Sequence, residues 1–472
     1  MKIVFIFGSS TSLRSFKEFL ILESLNSEPS IEIVCVLREH SKYTDRSPNY
    51  QPQGIQTYSI SGNKNSWSRY QTWVQVEMAL RSRDNPAFAE KTRRILLGNL
   101  RRGSFSNVFL WYLYVASNIL RMRSVVTFLG FIPFIGTLIS KLTWLLVPNN
   151  HSLNRTLIEI NPDLVIVVSN GQESLLAEVQ KNEMIKDSWV FLPDNWDNLF
   201  TKSVFKTPPA AYFLWSQQQI DFLTKQKYFR NGMSKVYIVG SSRMGSSKLD
   251  LYSRDNNVSR LFPKRIKVIY FGQEAPHDEI SDIVWMSEIL SRGNLNLEIT
   301  YRPHPTARPR SSNSSRMNEL KNLKFLASGL KILLTIDERR NFALNHNQEL
   351  LKTISSHDLV VCAPTTVILE SLLKLKPTGV LLRDDGKHRS TTQVQWECMP
   401  HFRLLENIKN FYLIRSENDL NDFLRSHKDS QVIAQGSKTQ TLTYFVGPNV
   451  SHEDYVRNIY KAIITALGRT HK

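Results

Sequence analysis

Cysteine is scarce in this chain. Cys35, Cys362 and Cys398 lie far apart, and no CxxC pair occurs. That spacing excludes a cysteine zinc site, argues against a disulfide framework and fits a reducing cytoplasm. Long hydrophobic runs are missing too. The uncharged core Ser124–Ser140 is broken by Gly130, Pro133 and Gly136 and falls short of the ~20 apolar residues that span a bilayer. The opening MKIVFIFGSS is apolar for only a few residues, too few for a signal peptide. It reads as a first buried strand, Ile3–Phe7, ending at Gly8. No GxxxxGKS loop, GxSxG elbow or HExxH helix occurs. GSSTS after the first strand is not GxGxxG, so a dinucleotide cofactor has little support. Nor is there a zinc finger, RRM signature or basic zipper, which argues against nucleic acid as a partner.

What is present points to an ordered, two-domain protein. At 472 residues two domains are the natural expectation, and 41% apolar residues supply their cores. The net charge of +18 draws polyanions: nucleic acid, for which the binding motifs are missing, anionic lipid or phosphorylated substrates. Short β-branched runs recur near 3–7, 31–37, 164–168, 189–192, 211–215, 236–239, 266–271, 297–302, 331–336, 358–362, 378–383 and 411–414, alternating with helical patterns. That alternation predicts parallel sheets with crossover helices. The polar stretch 241–264 is the best linker, so the fold class is α/β: two doubly wound, Rossmann-like domains facing a cleft. The expected bounds are an N-terminal domain over 1–245, a C-terminal domain over 263–450, and a helix over 451–472 that crosses back to the first domain. Residues 80–150 form a helical insertion in the first domain. There, Arg93, Arg94, Arg101 and Arg102 precede the apolar, aromatic-rich 106–147. Three placements suit that segment: an anionic membrane surface, a buried helical hairpin, or a true span.

In doubly wound domains ligands bind beyond the carboxyl ends of the strands, so polar residues there carry weight. After the strand 266–271, Gly272 permits close approach of a ligand. The strand in LEITYRPHP (297–305) delivers Arg302 and His304 in a frame fixed by Pro303 and Pro305, suited to a phosphate; the bland reading is a solvated basic loop. In VVCAPTTVILESLLKLKP (360–377), Thr365 and Thr366 open a helix, and Glu370 sits inside an otherwise apolar turn, where it suits a sugar or ribose hydroxyl pair. Helix capping alone would account for the threonines but not for the glutamate. In the first domain, VFLPDNWDNLFTK (190–202) sets Asp194 and Asp197 around Trp196, followed by Lys202. Carboxylates beside an indole suit hydroxyl binding and general-base work, against an Asn-rich turn as the plain alternative. SNGQES (169–174) ends the neighbouring strand and would line the same place.

With RPHP (302–305), APTTVILESLLKLKP (363–377) and their spacing in view, the chain resembles GT-B-fold glycosyltransferases. The likeness is nearest to bacterial surface-polysaccharide enzymes related to the CDP-glycerol glycerophosphotransferases. The resemblance implies a C-terminal donor domain in which Arg302 and His304 meet the donor phosphates, Thr365 and Thr366 bind phosphate and Glu370 holds the ribose. It places Asp194 and Asp197 as catalytic residues on the acceptor side, with Trp196 and Lys202 beside them. It implies a transferase moving a sugar, or a polyol phosphate, from a nucleotide-activated donor to a surface-glycan or lipid-linked acceptor. No metal and no cofactor are called for, there being no clear DxD signature. The implied location is cytoplasmic, peripheral on the inner face of the membrane. The histidine-glycine motif of the glycerophosphotransferases is missing, as is the glycine-threonine-arginine-proline start of the UDP-sugar 2-epimerases. Two other functions stand beside the transferase: a UDP-sugar 2-epimerase-like enzyme, and a non-catalytic, membrane-associated glycan-assembly factor.

Overall fold

The computed structural model describes residues 1–8, 10–39, 52–61, 64–81, 85–90, 132–147, 151–169, 171, 175–225, 234–244, 266–273, 279–292, 297–302, 330–332, 346–384, 391–429, 439–448 and 451–468. They divide into two compact units. The first comprises Met1–Ser242, Cys398–His401 and His452–Lys472, and the second Arg243–Glu397 and Phe402–Ser451.

The first unit is built on a seven-stranded parallel sheet: β1 (Lys2–Phe7), β2 (Glu32–Glu39), β3 (Gln56–Ser61), β4 (Leu164–Ser169), β5 (Trp189–Pro193), β6 (Ala211–Leu214) and β7 (Lys235–Ile238). Their order is β3-β2-β1-β4-β5-β6-β7. The central strands KIVFIF and LVIVVS are apolar almost throughout and buried on both faces, as a sheet covered by helices on each side requires. The apolar N-terminus is therefore the middle of a sheet. β3, QTYSIS, is a strand that no apolar run announces. It lies at the sheet edge, where Ile60 is buried while Gln56 and Ser59 stay exposed. The helix His452–Ala466 completes this unit. Tyr455, Val456, Ile459, Ala462, Ile463 and Ile464 form its buried face, and the Tyr455 ring lies 6.3 Å from that of Phe16.

The second unit has six parallel strands: β8 (Ile266–Phe271), β9 (Leu297–Arg302), β10 (Leu330–Ile332), β11 (Leu359–Cys362), β12 (Thr378–Leu381) and β13 (Phe411–Ile414). Their order is β10-β9-β8-β11-β12-β13. Val268, Tyr270, Ile283, Met286, Tyr301, Val361 and Phe423 lie in its core. In each sheet the winding reverses once, between β1 and β4 and between β8 and β11. Such reversals open a crevice at the strand ends, because the connections leave in opposite directions.

In the insertion, the helix Ile132–Leu145 packs on the helix Lys64–Arg81. Among the described residues no helix is long and apolar enough to cross a membrane. The expectations for 91–131, including Arg93, Arg94, Arg101 and Arg102, lie outside the described residues, as does the linker beyond Met244.

Candidate active site

The second unit places its polar residues at the reversal between β8 and β11. Three strands end there in register: Arg302 of β9 faces Phe271 of β8, and Phe271 faces Cys362 of β11. Adjacent strands lie about 4.8 Å apart, so the ends of β9 and β11 are separated by roughly 10 Å, the scale of a diphosphate with its sugar. Arg302 is 5% exposed, and its guanidinium stacks 5.9 Å from the Phe271 ring centre. A flat cation held against an aromatic face keeps its charge with little ordering left to do on binding.

Gly272 follows β8 with the Glu279 carboxylate close against it. A Cβ there would meet the Glu279 carboxylate. Glu279, in the first turn of the helix Glu279–Arg292, accepts hydrogen bonds from the Gln273 backbone N–H at 2.8 Å and from the Tyr301 hydroxyl. One turn on, Asp282 accepts from Tyr270 at 3.1 Å and from Arg383 Nη1 at 3.3 Å. Burial first, then the charges of Asp282 and Glu279, push the Tyr270 phenol well above its ordinary value, so it stays a donor. Buried Glu279 thus pins the turn after β8, and buried Asp282 holds the Tyr270 side chain of β8 and Arg383. Sequence reasoning overlooked both, since an acid in a first helical turn reads as an ordinary complement to the helix dipole.

After β11, Ala363 and Pro364 are buried and turn the chain into the helix Val367–Leu373. Thr366 occupies the N-cap position but makes no side-chain capping bond. The Thr365 hydroxyl oxygen is buried and has no hydrogen-bond partner. Glu370 is 2% exposed. Its Oε1 accepts from Arg243 Nη2 at 2.7 Å, while its Oε2 is buried without a partner. Burial, assisted by the Glu370 charge, raises the Cys362 thiol, which stays protonated. Capping therefore does not account for the threonines. The glutamate is half committed, with one oxygen on an arginine the sequence did not flag and one left open. Gly272 follows β8, and Thr365, Thr366 and Glu370 follow β11, the two strands that bound the reversal, while Arg302 ends β9 beside β8. His304 lies outside the described residues.

In the first unit the DNWDN turn follows β5 directly. The Asp194 N–H donates to Ser169 O at 3.2 Å, so the ends of β4 and β5 lie side by side. Asp194 accepts from the Asn198 amide, and Asn198 Oδ1 accepts from Lys202 Nζ at 3.2 Å. Lys202 Nζ also lies 3.2 Å from Asp197 Oδ2, which accepts from the Thr201 hydroxyl at the same distance. Asp194, Asp197 and Lys202 thus form one partly exposed cluster. Trp196 departs from expectation. It is fully buried, its indole N–H donates to Gln218 Oε1 at 2.8 Å, and its ring meets that of His401 edge-on at 4.8 Å. It packs the turn from within, because burying so large a ring outweighs leaving it at a wet surface once its N–H has a partner. Of SNGQES, Ser169 and Gly171 are described. The Ser169 hydroxyl accepts from the Gly171 N–H at 3.0 Å, and Gly171 has φ +87° with Ser203 tight against it. Among the described residues no group of three or more His, Cys, Asp or Glu is placed to hold a metal.

Two parallel, doubly wound α/β units are the fold class of the GT-B proteins. No family model and no curated protein matches the chain. Solved structures do. The UDP-GlcNAc 2-epimerase of Neisseria meningitidis bound to UDP-GlcNAc aligns over 99% of both chains, with 12% identity and a TM-score of 0.50. The S. aureus MnaA–UDP co-structure aligns over 100% of this chain and 98% of its own, with 11% identity and a TM-score of 0.49. Acinetobacter baumannii MurG aligns over 98% of this chain and 100% of its own, with 10% identity and a TM-score of 0.42. At 12% identity the likeness to the Neisseria meningitidis structure is one of fold alone.

Proposed function

We propose that the chain is a metal-independent glycosyltransferase. It takes a nucleotide-activated sugar, or polyol phosphate, in the second unit and passes it to a surface-glycan or lipid-linked acceptor. One observation carries the reading. Where β8, β9 and β11 end in register, a buried arginine, Arg302, accompanies two buried and unpartnered oxygens, Thr365 Oγ1 and Glu370 Oε2. Buried polar atoms without partners cost stability, and a site that keeps two of them is suited to a ligand that satisfies them.

On this reading Arg302 neutralises the charge that grows on the departing phosphate, and it is already oriented when the bond breaks. The Thr365 hydroxyl donates to a phosphate oxygen. Glu370 Oε2 accepts from a ribose hydroxyl, with Arg243 fixing the carboxylate plane. In the first unit Asp197 or Asp194 takes the proton of the acceptor hydroxyl, and Lys202 orients the carboxylate.

The test is calorimetric titration of UDP, CDP, GDP and CMP into wild type, Glu370→Gln and Thr365→Val. At least one nucleotide binds wild type, and the variants weaken that binding. No nucleotide bound, or unchanged affinity in both variants, rejects the donor site. Incubation with a UDP-N-acetylhexosamine and no acceptor separates the reactions: a transferase leaves the sugar's configuration unchanged, whereas epimerisation would replace this reading with the epimerase.

A further inference from the structure

The helix Ile132–Leu145 is apolar on both sides. At about 100° per residue, Ser140 and Trp144 fall on one face and Leu138, Lys141, Leu142 and Leu145 on the opposite one. The first face is anchored. The Ser140 hydroxyl is buried, donates to Glu77 and accepts from the Trp73 indole at 3.2 Å, and the Trp144 ring lies 4.6 Å from that of Trp73. The second face is open to solvent, with Leu138 47% exposed, Leu142 52% and Leu145 73%. Single exposed leucines are ordinary; three spaced at i, i+4 and i+7 make a continuous stripe, which marks a surface that meets something apolar.

Charge says what that is. Between residues 91 and 147 the sequence holds eight Lys or Arg and no Asp or Glu. Lys141 sits within the leucine stripe and is itself exposed. A lysine among leucines can lay its stem along the apolar layer and keep its ammonium at the phosphates. A protein partner would match an apolar stripe equally well, but the exposed Lys141 inside the stripe, in a stretch of sequence without one acid, favours a surface of fixed negative charge. We propose that this helix face is the seat of an anionic lipid surface, with the three leucines entering the acyl boundary and Lys141 at the headgroups.

The same helix pair reaches the acceptor-side cluster. Glu77 binds Arg81 at 2.7 Å, and Arg81 donates to Phe205 O at 3.4 Å. Asn85, four residues on, donates to Phe200 O at 3.0 Å. Phe200 and Phe205 flank the segment that carries Lys202, so these hydrogen bonds tie that segment to the helix on which the leucine-bearing helix packs. The lipid contact stands without the transferase reading; if that reading holds, the contact brings a lipid-linked acceptor to Asp194 and Asp197.

The experiment is flotation of the full chain, without nucleotide, on vesicles of equal parts phosphatidylglycerol and phosphatidylcholine and on pure phosphatidylcholine. Wild type floats with the anionic vesicles about tenfold more than with the neutral ones, and added salt weakens it. Leu142→Gln/Leu145→Gln lowers the anionic partition by about tenfold with an unchanged melting temperature, because both side chains are exposed. Lys141→Glu lowers it as well. Failure of wild type to bind anionic vesicles overturns the proposal, and so does unaltered binding by the double leucine variant. Concentration-dependent self-association abolished by the double variant, without vesicle binding, would assign the face to a second copy of the chain instead.

Discussion

Replacing Thr365 with valine should move stability and nucleotide affinity in opposite directions. The hydroxyl oxygen of Thr365 is buried and unpartnered. Valine has nearly the same shape and removes the unsatisfied group, worth about 1 kcal/mol at the low end of such penalties. For a unit of this size that raises the melting temperature by roughly 2–4 °C. A hydrogen bond to a charged phosphate contributes about 2 kcal/mol, so losing it weakens nucleotide binding by roughly thirtyfold. The two effects cross. With ligand at 100 times the wild-type dissociation constant, wild type gains about 2.7 kcal/mol, while the variant gains about 0.9 kcal/mol on top of its 1 kcal/mol head start. Scanning calorimetry with and without nucleotide therefore finds the variant more stable alone and less stable with ligand. Thr365→Ser, which keeps the hydroxyl, should bind like wild type. If Thr365→Val holds nucleotide as tightly as wild type, the hydroxyl has no ligand to serve and the site assignment falls.

Arg243→Met should destabilise the second unit by about 3 kcal/mol, the low end for breaking a largely buried ion pair, because the arginine is 22% exposed. Adding Glu370→Leu should restore much of it, and denaturant midpoints measure both; a double variant no better than the single one contradicts the pairing. Gly272→Ala forces the Glu279 carboxylate away from the new Cβ and should cost about 1–3 kcal/mol together with nucleotide affinity, seen by calorimetry. His401 is driven from 6.5 down to about 4 by burial, eased by Asp197 and reinforced by Lys202. The unfolded chain therefore protonates first. The stability contributed by neutral His401 is complete above about pH 6.5 and lost as the pH falls toward 4, about 3 kcal/mol in all. His401→Phe should flatten that part of the acid limb in urea titrations at stepped pH; an unchanged slope would refute the account.

Most strands are legible because central parallel strands are buried on both faces and must be apolar throughout, as in KIVFIF and LVIVVS. β3 escapes because an edge strand needs only alternate apolar residues, and QTYSIS reads as a polar loop. Arg302, Thr365 and Glu370 stand out in the sequence for a related reason: a polar side chain at or just after the end of a buried strand has little structural excuse. Arg243 does not, since its partner Glu370 lies 127 residues away and no local pattern encodes that distance. Glu279 hides in plain helix chemistry. Trp196 misleads because an indole between two aspartates looks wet, whereas Gln218, 22 residues on, gives its N–H a buried partner.

The first unit is assembled from three separate pieces of chain, the second being the four residues Cys398–His401 and the third the helix from His452. A ribosome that has finished Ser242 must add about 210 more residues before that helix emerges, a delay of roughly 10–40 s at ordinary synthesis rates. Throughout that interval Trp196 lacks His401 and Phe16 lacks Tyr455, so the nascent half presents uncovered aromatic rings. Expression of 1–242 alone makes the delay permanent, and chaperone dependence and aggregation of that fragment are the expected result.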